Sequence, residues 1–61
     1  MYEWEVFMET MVTSFSITVH AETKAKATYK AYKEWLGKEL NPKTPFNAFI
    51  KYFYNKTVLI G

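Results

Sequence analysis

Residues 23–37 read TKAKATYKAYKEWLG, and this stretch decides the fold. It holds no proline, and no glycine before its last residue. The Thr23 hydroxyl suits an N-cap, accepting from a free N–H of the first turn. Gly37 suits the C′ position, which favours a residue without a Cβ. The predicted helix runs between them. At about 100° per residue, Ala25, Tyr29, Tyr32 and Leu36 fall on one face, with Thr28 and Trp35 widening it. Lys26, Lys30 and Lys33 gather on the flank next to Tyr29. The aromatic side is expected to pack on a sheet. The lysines read either as a solvated face or as a phosphate-binding stripe. Lys24 and Lys26 stand in the first turn, where the macrodipole disfavours cations and the free N–H groups would help hold an anion.

Working outward, residues 2–8, YEWEVFM, alternate: Tyr2, Trp4, Val6 and Met8 to one side, Glu3, Glu5 and Phe7 to the other. Residues 14–20, SFSITVH, repeat the pattern with Phe15, Ile17 and Val19 inward. Both are half-buried strands. Between them lies a tip near Thr10–Val12 with no glycine turn signal. Met11 and Val12 there either form an exposed contact surface or lap over the core edge. After Gly37, Asn41-Pro42 breaks the chain. Thr44-Pro45 then starts a second helix, with Thr44 as N-cap and Pro45 at its first position. Phe46, Phe49, Ile50 and Phe53 share its apolar face. The closing KTVLIG, residues 56–61, has strand propensity.

The expected architecture is a single α+β domain over residues 1–61, two-layered and ordered ββααβ. A small, mostly antiparallel three-stranded sheet carries both helices on one face. The other face would be open, bearing Glu3, Glu5, Phe7, Glu9, Ser16, Thr18 and His20. Phe7 there is either an interface residue or half of a cross-strand pair.

A chain of 61 residues has a thin stability margin, and with no cysteine no disulfide adds to it. Aromatic residues, 20% of the chain, are the expected compensation. No stretch approaches the ~20 apolar residues of a membrane span. Glutamates stand where a signal peptide would be positive, so the Asn55-Lys56-Thr57 sequon is given no weight. The net charge of +2 is unevenly spread: residues 1–23 carry four glutamates and no lysine, and residues 24–61 carry eight lysines against Glu34 and Glu39. All basic residues are lysine, which weighs against bidentate recognition of guanine or carboxylate.

Catalytic constellations are not supplied. His20 is the only histidine and there is no aspartate. A metal site would need His20 with Glu3 and Glu5, an incomplete ligand set. With two glycines, one of them terminal, there is no phosphate-cradling loop. The expectation is a non-enzyme with no cofactor and no metal.

Val19-His20-Ala21-Glu22-Thr23-Lys24-Ala25-Lys26 and Phe46-Asn47-Ala48-Phe49-Ile50-Lys51 carry a resemblance to a diffuse group of small phage and prophage proteins of low-GC Gram-positive bacteria. In those, a strand leads through a small residue and a Ser/Thr into a Lys-Ala helix. A Phe-x-x-Phe-Ile/Leu-Lys segment and a hydrophobic strand follow. The resemblance implies a phage accessory protein in the bacterial host cytoplasm, acting by binding. Some similar-sized phage proteins are anti-CRISPR or other anti-defence factors. It assigns no residue a role.

Two functional surfaces result. The first is a protein-binding one, Glu3, Glu5, Phe7, Glu9, Met11 and Val12, for a host or phage protein. The alternative is a nucleic-acid stripe of Lys24, Lys26, Lys30 and Lys33, with Tyr29 or Tyr54 as stacking groups. A third reading is a self-assembling component, a homo-oligomer formed through a sheet edge or the Phe7 face.

Overall fold

The computed structural model describes residues 1–38 and 43–61. Strands β1 (Tyr2–Glu9) and β2 (Ser14–Ala21) form a hairpin, followed by helices α1 (Lys24–Lys38) and α2 (Phe46–Tyr52) and strand β3 (Tyr54–Leu59). The sheet order is β2-β1-β3, antiparallel throughout. The expected α+β class with an antiparallel three-stranded sheet is therefore the observed one. The sequence left the place of the third strand open; it lies beside β1, which makes the first strand central.

Alternation along the strands sorts the residues as the pattern predicts. Val6, Met8, Ile17 and Val19 are buried on the inner face, with Trp4 and Phe15 packed beside them. Trp35 and Phe49 cover this face from α1 and α2. Phe49 meets Tyr32 at 5.2 Å and Trp35 at 5.1 Å between ring centroids, and Phe53 meets Trp35 at 4.9 Å. Such ring pairs add about 0.5–1.5 kcal/mol each beyond the area they bury, a substantial help to a core this small. Tyr2, assigned to the inner side, is exposed because it lies at the open end of β1.

Two details of α1 differ from expectation, although its start does not. Thr23 caps α1 as predicted, its Oγ1 accepting from Lys26 N at 3.2 Å. Gly37, however, lies inside α1, which runs on to Lys38, and its φ is not positive. The buried side of α1 is Ala27, Thr28, Ala31, Tyr32 and Trp35, whereas Ala25 and Tyr29 are exposed. Thr28, Tyr32, Trp35 and the partly buried Leu36 keep their expected side, and the face extends toward Ala27 and Ala31 in place of Ala25 and Tyr29. The reason is close approach: the fully buried Ala27 and Ala31 let the backbone lie against the sheet, and the Trp35 and Tyr32 rings fill the side toward α2.

α2 begins at Phe46, one residue later than predicted, with Pro45 as N-cap and no side-chain bond from it. The Tyr32 hydroxyl donates to the Thr44 carbonyl and ties the approach to α2 onto α1. β3 starts two residues before the predicted KTVLIG. Asn55 is the additional residue of a bulge, since Phe7 pairs with Lys56 but Met8 with Tyr54. The predicted breaker Asn41-Pro42 lies outside the described residues.

One buried polar link crosses the layers. Thr28 Oγ1 donates to the Lys24 carbonyl at 3.0 Å and lies 2.7 Å from Thr57 Oγ1. A hydroxyl has one proton, so Thr57 is the donor in the Thr–Thr bond, and β3 is fastened to α1. Trp35 Nε1, by contrast, is buried without a hydrogen-bond partner among the described residues, at a cost of about 1–3 kcal/mol.

Candidate functional site

The hairpin positions most of the expected protein-binding residues. In the β1/β2 register Glu3 faces His20, Glu5 faces Thr18, Phe7 faces Ser16 and Glu9 faces Ser14. All eight project from the sheet face opposite the helices. Glu3 and His20 approach to 3.6 Å, and Ser16 Oγ donates to Glu5 Oε2 at 3.0 Å. Phe7 proves to be one half of a cross-strand pair: Lys56 Nζ lies 5.1 Å from its ring centroid. Lys56 therefore interrupts the acidic row with a cation, a contribution from β3 that the sequence pattern did not assign to this face. Among the described residues no group of three His, Cys, Asp or Glu side chains gathers as a metal site.

At the far end of the hairpin, Met11 is 99% and Val12 92% exposed. Of the two readings of the tip, the uncovered one is observed. The tip is nevertheless held. Thr10 N donates to the Thr13 carbonyl at 2.7 Å, and Thr10 Oγ1 donates to the same carbonyl at 3.1 Å. Thr10 Oγ1 also accepts from Thr13 N at 3.2 Å and from Val12 N at 3.4 Å. One threonine side chain thereby does the work of the missing glycine turn. Beside the tip an open cleft of about 600 Å³ is lined by Glu9, Thr10, Met11 and Tyr52–Asn55. Tyr52, 67% exposed, extends the apolar end of the molecule. It was missed in the sequence because its neighbourhood depends on β3 folding back along β1.

The lysine stripe is also assembled, and much of it is engaged. Lys26 pairs with Glu22 at 3.8 Å. Lys30 donates to the His20 carbonyl. Glu3 bonds its backbone to Ile60 and Gly61 on the β3 side, so its β2 partner His20 points its own carbonyl outward. Lys30 therefore covers an acceptor at the open edge of β2, a place where uncovered groups invite strand addition. Lys33 Nζ lies 5.9 Å from the Tyr29 ring. Tyr29 itself packs edge-on against Phe46 at 5.3 Å, and Tyr54 lies 6.4 Å from Phe49. Tyr29 is nonetheless about half exposed, whereas Tyr54 is partly buried.

No protein-family model, curated protein or solved structure matches this chain. No described helix is long and apolar enough to cross a membrane.

Proposed function

We propose that this protein is an accessory factor that works by binding another protein, with the hairpin tip as the anchor of the contact. The observation that carries the reading is the pairing of order with exposure at Met11 and Val12. A loose loop exposes apolar groups incidentally, but these two are presented by a turn whose backbone is hydrogen-bonded through Thr10. Pre-ordering lowers the entropic cost of association, and exposed apolar groups beside polar ones mark contact sites. Glu9 at the tip, with Glu3 and Glu5 along the same strand, favours a partner whose apolar recess is set in basic surroundings. A host or phage protein is the expected partner, and inhibition of a bacterial defence factor, in the manner of anti-CRISPR proteins, is the sharpest form of the proposal.

The test is site-specific crosslinking in the bacterial host, with a photoreactive residue at position 12 and a control at position 38. The expected result is a discrete crosslinked protein from position 12 only, lost when Met11→Asp is added. Equal yields from both positions, or a product indifferent to Met11→Asp, would sink the reading. Labelled DNA and RNA titrated at low salt should show no binding that depends on Lys26, Lys30 and Lys33.

A further inference from the structure

A groove opens where α1, α2 and the start of β3 meet. It measures about 460 Å³ and is lined by Lys24, Ala25, Thr28, Tyr29, Phe46, Ile50 and Tyr54. Its walls are one turn of α1, Ala25 to Tyr29, and one turn of α2, Phe46 to Ile50. Ala25, Tyr29 and Ile50 are exposed there. A shallower apolar patch continues it over Ala25, Lys26, Tyr29 and Lys30. The recess is therefore apolar within and bordered by lysines on its α1 side: Lys24 lines it, while Lys26, paired with Glu22, and Lys30, bonded to the His20 carbonyl, edge the adjoining patch, and Lys33 lies over Tyr29. An apolar segment with an acidic residue beside it is the complementary occupant.

This chain presents such a segment. The tip offers Met11 and Val12, bare and held in shape, with Glu9 beside them and no lysine or arginine before residue 24. We infer that the α1/α2 groove receives the hairpin tip of a second copy of this chain. A copy does not fill its own groove: its tip stays uncovered, with Met11 99% and Val12 92% exposed, although Tyr54 of the groove also lines the cleft beside Met11. The contact is consequently head-to-tail, with a different surface on each side. It leaves one tip and one groove free in every assembly, and repetition builds open chains rather than a closed dimer.

The inference rests on the reading of the tip as a contact surface and names one partner for it. Self-docking masks the tip of one copy, so it competes with any other protein that binds there. Two small anchors make an interface below the ~1,000 Å² of stable complexes. Association is therefore weak, seen at high protein concentration, and loosened by salt because the rim charges are exposed.

The deciding experiment is sedimentation equilibrium of the wild type and two single variants, each first checked for native circular dichroism. Met11→Asp disables the tip at an exposed position. Ala25→Glu disables the groove by setting a carboxylate against Glu9, and an acidic residue in the first turn favours the helix. Wild type is expected to gain mass with concentration, and less so in high salt. Each variant alone should stay monomeric. An equimolar mixture of the two should form a 1:1 dimer and nothing larger, because one intact tip and one intact groove remain between them.

Wild type that stays monomeric at every concentration overturns the inference, as does a mixture that stays monomeric. Association untouched by either variant, as a sheet-edge or Phe7-face oligomer would give, also overturns it. The two readings fail separately: if wild type is monomeric but Met11→Asp still abolishes crosslinking to another protein, the tip remains a contact surface and self-docking is wrong.

Discussion

The two ends of the hairpin are both held by hydrogen bonds, and they differ in how much of their apolar surface is covered. At its base, Trp4 Nε1 donates to the Ala21 carbonyl at 3.0 Å and Lys30 covers the carbonyl of His20. At its tip, Thr10 bonds the backbone of Val12 and Thr13. Polar groups are satisfied at both ends. At the base Val19 and Ala21 are buried and only Tyr2, at the strand end, is exposed; at the tip both Met11 and Val12 meet water. Hydrogen bonding thus fixes the shape of the whole hairpin, while burial is confined to the part beneath the helices. Order and stability come from different residues, which frees the tip for another use.

The largest expected effect lies on the buried side. Phe49→Ala should cost about 3–5 kcal/mol, against a total stability of roughly 3–9 kcal/mol for a chain of this length. Thermal melts should lose their cooperative transition or move sharply down. A variant that melts like wild type would mean that α2 is dispensable to the core.

The threonine link gives the next effect, and an asymmetric one. Thr28→Val leaves the Thr57 hydroxyl without its acceptor and should cost about 1–3 kcal/mol. Thr57→Val leaves the Thr28 bond to Lys24 intact and should cost about 0.5–1.5 kcal/mol. Urea midpoints of the two proteins should fall in that order, and the reverse order would refute the assigned proton direction.

At the tip itself, Thr10→Ala should cost about 1 kcal/mol and speed amide exchange at Val12 and Thr13 while leaving α1 protected. Lys56→Gln removes the cation from the Phe7 ring, an exposed contact of about 0.5–1 kcal/mol, and should lower the melting temperature slightly. The smallest stability effect belongs to Met11→Ser and Val12→Ser, within about 0.5 kcal/mol of wild type. If either variant destabilised the fold by more than a Thr10 change, the tip would be part of the core and the contrast between the two ends would collapse.

The elements were legible because their signals are local. Alternation in YEWEVFM and SFSITVH predicts two strands with their inner and outer faces, and the Thr23 cap marks the start of α1 where the structure has it. The outer-face group Glu3, Glu5, Phe7 and Glu9 follows from the same alternation, since strand parity alone decides it. The errors have physical causes. Gly37 looks like a terminator in the sequence, but glycine inside a helix costs only about 1 kcal/mol, and α1 continues through it. The inner face of α1 was centred on its aromatic residues, because hydrophobic weight dominates a periodicity argument. The packed face is set instead by Ala27 and Ala31, whose small side chains permit close approach.

The sequence by itself determined the order and type of the elements and the charge contrast between its two halves. Each is a property of neighbouring residues or of composition. Tertiary structure alone decided that β3 lies beside β1 and brings Lys56 to Phe7. It also decided that Tyr52 joins Met11 at one cleft, that the tip stays uncovered, and that α1, α2 and the start of β3 leave a groove bordered by lysines on its α1 side. Those depend on which surfaces meet across tens of residues. Pairing and packing across such distances are chosen by the total area buried, which no local pattern records.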